Sequence, residues 1–387
     1  MPTFYNFREN GLNYSFDDIF VPADLFRDGN LFTWGLGTSG QLGDDTATTK
    51  STPVTTSAGG TNWKQVSGGY HTAAIKTDGT LWTWGRGSEG QLGTNDTTQR
   101  NTPVTTFAGG TNWKQVSSGG YYTAAIKTDG TLWTWGRGTS GQLGTNGFVD
   151  KITPVTTFVG GTNWKQVSSG LSHTAAIKTD GTLWTWGPGS EGRLGNNDTI
   201  TRFAPVTTFA GGTNWKQVSA GGAFTAAIKT DGTLWTWGNG GYGRLGDNTT
   251  SSKLTPVTTF VGGTNWKQVS SGGYHCAAIK TDGTLWTWGR GTYGQPGDNT
   301  TTDKFTPVTT FAGGTNWKQV NLGRLHSAAI KTDGTLWTWG RGNDGQLGTN
   351  DTTNRVTPVT TFAGGTNWKQ VSGGYHCAAI TYIDSVI

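Results

Sequence analysis

The sequence predicts an all-β fold, a seven-bladed β-propeller closed by pairing of its N- and C-terminal strands, and three observations carry that expectation. The phrase Thr-Trp-Gly recurs with its tryptophan at Trp34, Trp84, Trp135, Trp186, Trp237, Trp288 and Trp339, spaced 50 residues once and 51 thereafter. A second mark, Asn-Trp-Lys-Gln-Val, keeps the same beat at Trp63, Trp113, Trp164, Trp215, Trp266, Trp317 and Trp368, so the period belongs to a structural unit and not to one motif. Periods of about 40 to 50 residues holding several short strands are those of propeller blades. The third observation lies at the ends of the repeat. It opens with Asp28-Gly29-Asn30-Leu31-Phe32-Thr33-Trp34-Gly35, the second arm of a hairpin, and closes with His376-Cys377-Ala378-Ala379-Ile380, the first arm. Pairing the two halves completes a seventh blade and leaves no exposed sheet edge at the seam.

Each copy supplies four strands. In residues 72–85, Asp78-Gly79 lies between two runs of strand formers and is expected to take the positive backbone angles of a hairpin turn. One arm carries Ala73, Ala74 and Ile75 and the other Leu81, Trp82 and Trp84, so both faces are apolar, as in a blade covered by neighbours on both sides. Small alanines suit the crowded axis, and tryptophans the wider spaces outside. Two further strands, near residues 103–106 and 113–116, complete the unit.

Composition agrees. Of 387 residues, 64 are Gly and 20 Trp while 14% are charged, a balance of tight turns and aromatic packing. The net charge of +5 is modest, and the Lys and Asp of each Lys-Thr-Asp-Gly turn largely cancel, so nucleic acid is not an expected partner. The start has no basic-then-apolar secretory pattern and no run of about eighteen apolar residues occurs, so no membrane insertion is expected and synthesis in a cytoplasm is. Cys276 and Cys377 fall at one repeat position two copies apart, beyond the ~7 Å reach of a disulfide, and are expected as free core thiols.

Several motifs imitate chemistry. Gly85-Arg86-Gly87-Ser88-Glu89-Gly90 matches a dinucleotide fingerprint, but the fingerprint has meaning only where a helix follows, and Gln91-Leu92-Gly93-Thr94 continues as turn; no cofactor is expected. His71, His173, His275, His326 and His376 share one position, with Tyr122 and Phe224 in the other two copies. Zinc ligands converge to about 2 Å from one ion, whereas residues on separate blades diverge, so a partly exposed aromatic shelf is expected there and no metal. The neighbours His275 and Cys276 should point to opposite faces, which argues against nucleophilic catalysis. The Asn-x-Thr sequences at Asn95, Asn197, Asn248, Asn299 and Asn350 are read as turn residues. No copy gathers an acid, a base and a metal-ligand set, so the chain is not expected to be an enzyme.

Comparing the seven copies separates scaffold from surface. Variation concentrates in the loop before Ala-Ala-Ile and in the loop after Gln-Leu-Gly. The first contributes Tyr70, His71, Tyr121, Tyr122, Leu171, Ser172, His173, Phe224, Tyr274, His275, Arg324, Leu325, His326, Tyr375 and His376, which are taken as the candidate binding surface on one face of the disk. The second places a basic residue in every copy, Lys50, Arg100, Lys151, Arg202, Lys253, Lys304 and Arg355, read as solvated loop charges in preference to an anion-attracting ring. Residues 1–27 stand outside the repeat and hold Phe4, Tyr5, Phe7, Phe16, Phe20 and Phe26. That many aromatics argue for an attachment segment leading into the propeller of residues 28–387.

The unit Leu-Trp-Thr-Trp-Gly-x-Gly-x-x-Gly-Gln-Leu-Gly, followed some thirty residues on by Val-Ser-x-Gly-x-x-His-Thr-Ala-Ala-Ile, resembles the repeat of the regulator of chromosome condensation family over residues 28–387. The resemblance implies a seven-bladed propeller closed by its ends. It does not fix function, because the family includes a nuclear exchange factor, a plant ultraviolet photoreceptor and a bacterial β-lactamase inhibitor. The photoreceptor's Gly-Trp-Arg-His-Thr is here Gly69-Tyr70-His71-Thr72, without its tryptophan and arginine, and copies of nearly constant length leave no room for the exchange factor's inserted wedge. The leading segment, above all Phe20-Val21-Pro22-Ala23-Asp24-Leu25-Phe26-Arg27-Asp28-Gly29-Asn30, is similar to the start of repeat proteins of phages of marine bacteria. That similarity implies a virion structural or host-recognition protein, made in the host cytoplasm, whose partners are other virion proteins or a host surface molecule. The competing class is a soluble cytoplasmic protein-interaction module or inhibitor acting through the same loops.

Overall fold

In a computed structural model that describes residues 28–382, twenty-eight strands form seven antiparallel four-stranded blades. Phe4, Tyr5, Phe7, Phe16, Phe20 and Phe26 lie outside the described residues. One blade runs Trp113–Ser118, Tyr122–Lys127, Leu132–Gly136 and Lys151–Thr156, in that order across the sheet, and five more repeat it. The seventh is built from both ends. Trp368–Gly373 and His376–Tyr382 supply its first two strands, Asp28–Gly35 and Lys50–Thr55 its last two. The seam pairs Leu31 with Ile380, Thr33 with Ala378 and Trp34 with Cys377, as the two half-hairpins require.

The hairpin turn differs in detail from the sequence expectation. Only Gly79 takes a positive φ, +79°, while Asp78 does not. The Gly79 amide bonds the Lys76 carbonyl at 3.0 Å and the Lys76 amide bonds the Thr80 carbonyl at 3.1 Å, the three-residue hairpin with a bulge glycine. Asp78 instead accepts from the Thr80 amide and hydroxyl at 2.9 and 2.7 Å. A Cβ at Gly79 would stand 2.0 Å from the Thr111 carbonyl, so close approach as well as φ demands glycine there.

Alanines do not line the axis. The innermost strand of each blade is Trp-Lys-Gln-Val, and its glutamine explains why. Gln115 donates to the Val167 carbonyl at 3.2 Å and accepts from the Val167 amide at 3.0 Å, clasping the bare edge of the next blade's first strand. Gln65 on Val116, Gln166 on Val218, Gln217 on Val269, Gln268 on Val320 and Gln370 on Val66 do the same, and Gln319 accepts from the Val371 amide. Seven such edges would otherwise present unpaired backbone groups around the channel. The Ala-Ala-Ile strand lies one place outward, fully buried between blades.

The wider spaces do belong to tryptophan. Trp113 meets Trp133 and Trp135 edge to face at 6.2 and 6.0 Å, and Lys127 from the hairpin turn lies over the Trp113 and Trp133 rings at 4.7 and 4.5 Å. The turn lysines therefore cap aromatic surface as well as balancing the turn aspartates.

Candidate functional site

Strand direction sorts the loops onto two faces. Each first strand runs toward the variable loop preceding Ala-Ala-Ile, and the third strand ends there too, since His71 pairs with Gly85 and Gly85 with Arg100. Seven variable loops thus meet on one face around the axis. They line a cavity of about 330 Å³, each copy contributing residues from Gly69 in one blade to Tyr375 in another. Amide-to-carbonyl bonds run from loop to loop around this mouth, among them Leu171 to Gly221 at 3.1 Å and Arg324 to Gly374 at 3.0 Å. Such an approach leaves no room for a Cβ at Gly69, which would stand 2.2 Å from the Gly119 carbonyl.

Half of the expected binding surface is not surface. His71, His173, His275, His326 and His376, with Tyr122 and Phe224, are buried between blades and form no accessible shelf. Nε2 of His71 lies 2.6 Å from Thr123 Oγ1, and that hydroxyl gives its single proton to the Gln91 carbonyl at 2.9 Å, so Nε2 must be the donor. His376 with Thr72 and Gln41, His173 with Thr225 and Arg193, and His275 with Ser327 and Gln295 repeat the relay. The carbonyl that ends it often takes a second donor from the next blade, as Trp84 Nε1 does on Gln41 at 3.0 Å. The recurring His-Thr, Thr-Trp-Gly and Gln-Leu-Gly marks are one inter-blade latch.

The variants obey the same geometry. Tyr122 reaches the His173 carbonyl and takes the Thr174 hydroxyl at 3.0 Å, while Phe224, which cannot donate, packs with Cys276 in place of a threonine. His275 and Cys276 do face opposite neighbours, and both cysteines are free and buried. Burial pushes both thiols up and pulls the histidines down, from the ordinary 6.5 to about 3 at His71, His173, His275 and His376 and about 4 at His326. Among the described residues no three His, Cys, Asp or Glu side chains come together as metal ligands would.

What remains at the mouth is tyrosine, arginine and leucine. Tyr70 stacks on Tyr121 at 4.5 Å and on Tyr375 at 3.8 Å, all three half-buried, and Arg86 lies 5.0 Å over Tyr121. Across the opening, Tyr274 is flanked by Arg244, Arg290 and Arg324 at 5.2, 5.4 and 5.9 Å. The Arg324 guanidinium beside Tyr274 holds that phenol below its ordinary range. Leu171 is exposed, and Ser172 and Leu325 are partly so. Sequence comparison missed Arg193 and Arg244, which line the cavity. Their signal was present, since they replace the glutamine of Gln-Leu-Gly in only two copies.

The second loop is neutralised in six of its seven copies, Lys151 being the exception. Arg100, Arg202 and Arg355 pair with Asp96, Asp198 and Asp351 at 2.6, 2.5 and 2.5 Å, and Lys50, Lys253 and Lys304 with Asp44, Asp247 and Asp298 at 3.6, 3.2 and 2.7 Å, which leaves no seven-fold anion ring. Asn95, Asn197, Asn248, Asn299 and Asn350 have φ between 64° and 67°, the turn role expected of them. The fingerprint glycines are turns as well, with Gly85 at +99° and Gly90 at +76°. On the opposite face, where the fourth strands end, Phe107, Phe158, Phe209, Phe260, Phe311 and Phe362 stand 64–67% exposed in an apolar circlet that sequence reading did not single out.

Comparison with known proteins agrees with this architecture. Residues 114–387 match the RCC1-like domain, and residues 28–75 and 78–126 match the regulator of chromosome condensation (RCC1) repeat. The chain is similar to the ultraviolet-B receptor UVR8 of Arabidopsis thaliana, 33% identical over 244 residues that cover 60% of this chain and 54% of the receptor. It is also 31% identical over 270 residues to the human E3 ubiquitin-protein ligase HERC2, covering 66% of this chain and 6% of the ligase. The chain thus spans about half the length of the first relative and a small part of the second. Among solved structures, human WBSCR16 superposes with a TM-score of 0.80 at 22% identity, covering 92% of this chain and 98% of that one. Yeast RCC1 (Prp20), solved with Kap60 bound, superposes at 0.81 and 18% identity, covering 100% and 97%. No helix among the described residues is long and apolar enough to cross a membrane.

Proposed function

Because this chain belongs to the regulator of chromosome condensation repeat family, whose propellers present loops around an axis, we propose that it is a non-catalytic binding propeller that engages a protein partner through the tyrosine- and arginine-lined mouth. One observation carries the reading. In seven copies that otherwise barely change, one of the two places where side-chain variety gathers is the opening where all seven loops converge, and the other holds paired surface charges. Tyrosine and arginine are the side chains that dominate binding energy in protein interfaces, and here they are already stacked, so little freedom is lost on contact. The solved relative bound to Kap60 supports a protein as the kind of partner.

The partner is proposed to be a virion protein or a host surface molecule, with residues 1–27 as the attachment segment. Support for this comes from the aromatic content of those residues and their likeness to phage repeat proteins. Capture from purified particles and from host envelopes tests both ideas, using the parent chain, a quadruple Y70S/Y121S/Y274S/Y375S variant and a chain starting at residue 28. The parent is expected to retain one protein that the quadruple variant loses at an unchanged melting temperature, while the shortened chain keeps that capture but fails to join particles. Equal capture by parent and quadruple variant would remove the mouth from the function, and normal incorporation of the shortened chain would remove the attachment role.

A further inference from the structure

Arg244 is only 4% exposed, yet no carboxylate among the described residues lies within ion-pair distance of it. Its Nε donates to the Gly241 carbonyl at 2.8 Å, and its guanidinium lies 5.4 and 5.2 Å over Tyr242 and Tyr274. Glu191 contributes an attractive field from a distance but is itself held by Arg193 and Asn239. A buried cation without a counter-ion is costly, so its presence needs a reason.

The fold does not supply one. In five copies the same position is glutamine, whose Oε1 accepts a backbone amide two residues earlier, as Gln91 does from Glu89 at 2.8 Å and Gln295 from Tyr293 at 2.8 Å. Arginine cannot accept that bond. In the two copies that carry it, the turn tightens into single 3-10 turns at Ser190–Gly192 and Gly241–Gly243. Each arginine instead donates to the carbonyl three residues back, Arg193 Nε to Ser190 at 3.0 Å and Arg244 Nε to Gly241 at 2.8 Å, a bond the neutral glutamine matched without bringing a charge to the mouth.

Both charges line the 330 Å³ cavity, Arg324 adds a third, and no Asp or Glu lines it. Leu171, Ala220, Ala223 and Leu322 make the rest of the lining partly apolar. That combination matches a ligand with an anionic head on an apolar stem better than a fully hydrated inorganic oxyanion. We propose that the axial cavity receives the carboxylate of an acidic peptide segment, a Glu or Asp side chain or a terminal carboxylate, between Arg193, Arg244 and Arg324. This rests on the reading of the mouth as a protein-binding face and names the chemistry of what enters it.

The test uses a variant the repeat has already shown to fold, since R193Q/R244Q restores the glutamine of the other five copies. Dye-labelled hexaglutamate, followed by fluorescence anisotropy, is expected to bind the parent and to bind R193Q/R244Q about tenfold or more weakly at an unchanged melting temperature. Hexalysine should not bind, and inorganic phosphate at matched ionic strength should not displace hexaglutamate. Equal binding by both chains, or none by the folded parent, overturns the proposal, as does displacement by phosphate, which would make the site a general oxyanion hole. If hexaglutamate fails while partner capture still depends on the four tyrosines, the acidic-ligand inference falls and the binding-face reading stands.

Discussion

A histidine recurring beside variable aromatic residues reads as a surface group, but all five are buried between blades, His71, His173, His275 and His376 in a relay through a hydroxyl of the next blade and His326 against Cys377 Sγ at 3.1 Å. The sequence held half the answer, because a small residue with a hydroxyl or thiol, Thr, Ser or Cys, follows this position in all seven copies. It could not show that the pairing crosses to the next blade, a contact about 52 residues away. Asn95 and its equivalents were legible because few side chains tolerate positive φ. The relay sets a pH dependence. Unfolded histidine titrates near 6.5 and these folded ones near 3 to 4, so between those values the unfolded chain holds protons that the folded chain lacks. Stability is therefore full above about pH 6.5 and falls as the pH drops through the window toward 3. Thermal unfolding followed from pH 7 to pH 4.5, above most carboxylate titration, should show the midpoint falling. The double variant H71F/T123C, which copies the Phe224–Cys276 pair, should take up one proton fewer on unfolding. An identical pH slope in that variant would show that His71 is not buried neutral.

Elements were the most legible scale, since the alternation of turn glycine with Ala-Ala-Ile and Leu-Trp-Thr-Trp places both central strands of every blade. Order from axis to rim was not legible. Residue size favoured alanine at the centre, whereas hydrogen bonding decides it, for only Trp-Lys-Gln-Val carries a side chain able to satisfy both a donor and an acceptor on the neighbouring edge. Gln217 holds the Val269 carbonyl and amide at 3.2 and 3.0 Å, so Q217L replaces it with a side chain of similar bulk and no hydrogen-bonding group. With two partly buried backbone groups left unmatched at about 1 to 3 kcal/mol each, denaturant unfolding of Q217L should lose roughly 2 to 6 kcal/mol. A Q217L midpoint equal to that of the parent would mean that the clasp adds nothing beyond packing.

At the scale of the whole molecule, near-identical repeats impose a near-symmetric ring, and what breaks the symmetry is informative. Arg193 and Arg244 in neighbouring blades, and Arg324 two blades on, give the mouth a basic sector that meets the Tyr70, Tyr121 and Tyr375 stack at Arg324, which lies 5.0 Å over Tyr375. The ring itself depends on one seam. Each ordinary blade is continuous in sequence, but the seventh brings together strands more than three hundred residues apart, with Leu31 on Ile380 and Trp34 on Cys377. Around that seam, Gln370 clasps Val66, and His376 reaches Thr72 and through it Gln41, the same latches that His71, His173 and His275 make at other joints. Removing residues 376–387 takes away one central strand of the blade, strips Trp34 and Leu31 of cover and leaves the Asp28–Gly35 strand with an open edge. A repeat array stacked in a line would lose only its terminal unit, because each unit there contacts only its neighbours. In a closed ring the loss opens both flanking joints at once. The truncated chain is therefore expected to lose its single cooperative transition by calorimetry and to melt broadly at lower temperature. Adding the missing segment as a free peptide should recover part of the original transition. A truncated chain that melted sharply at the parent's temperature would show that six blades hold the ring without the seam.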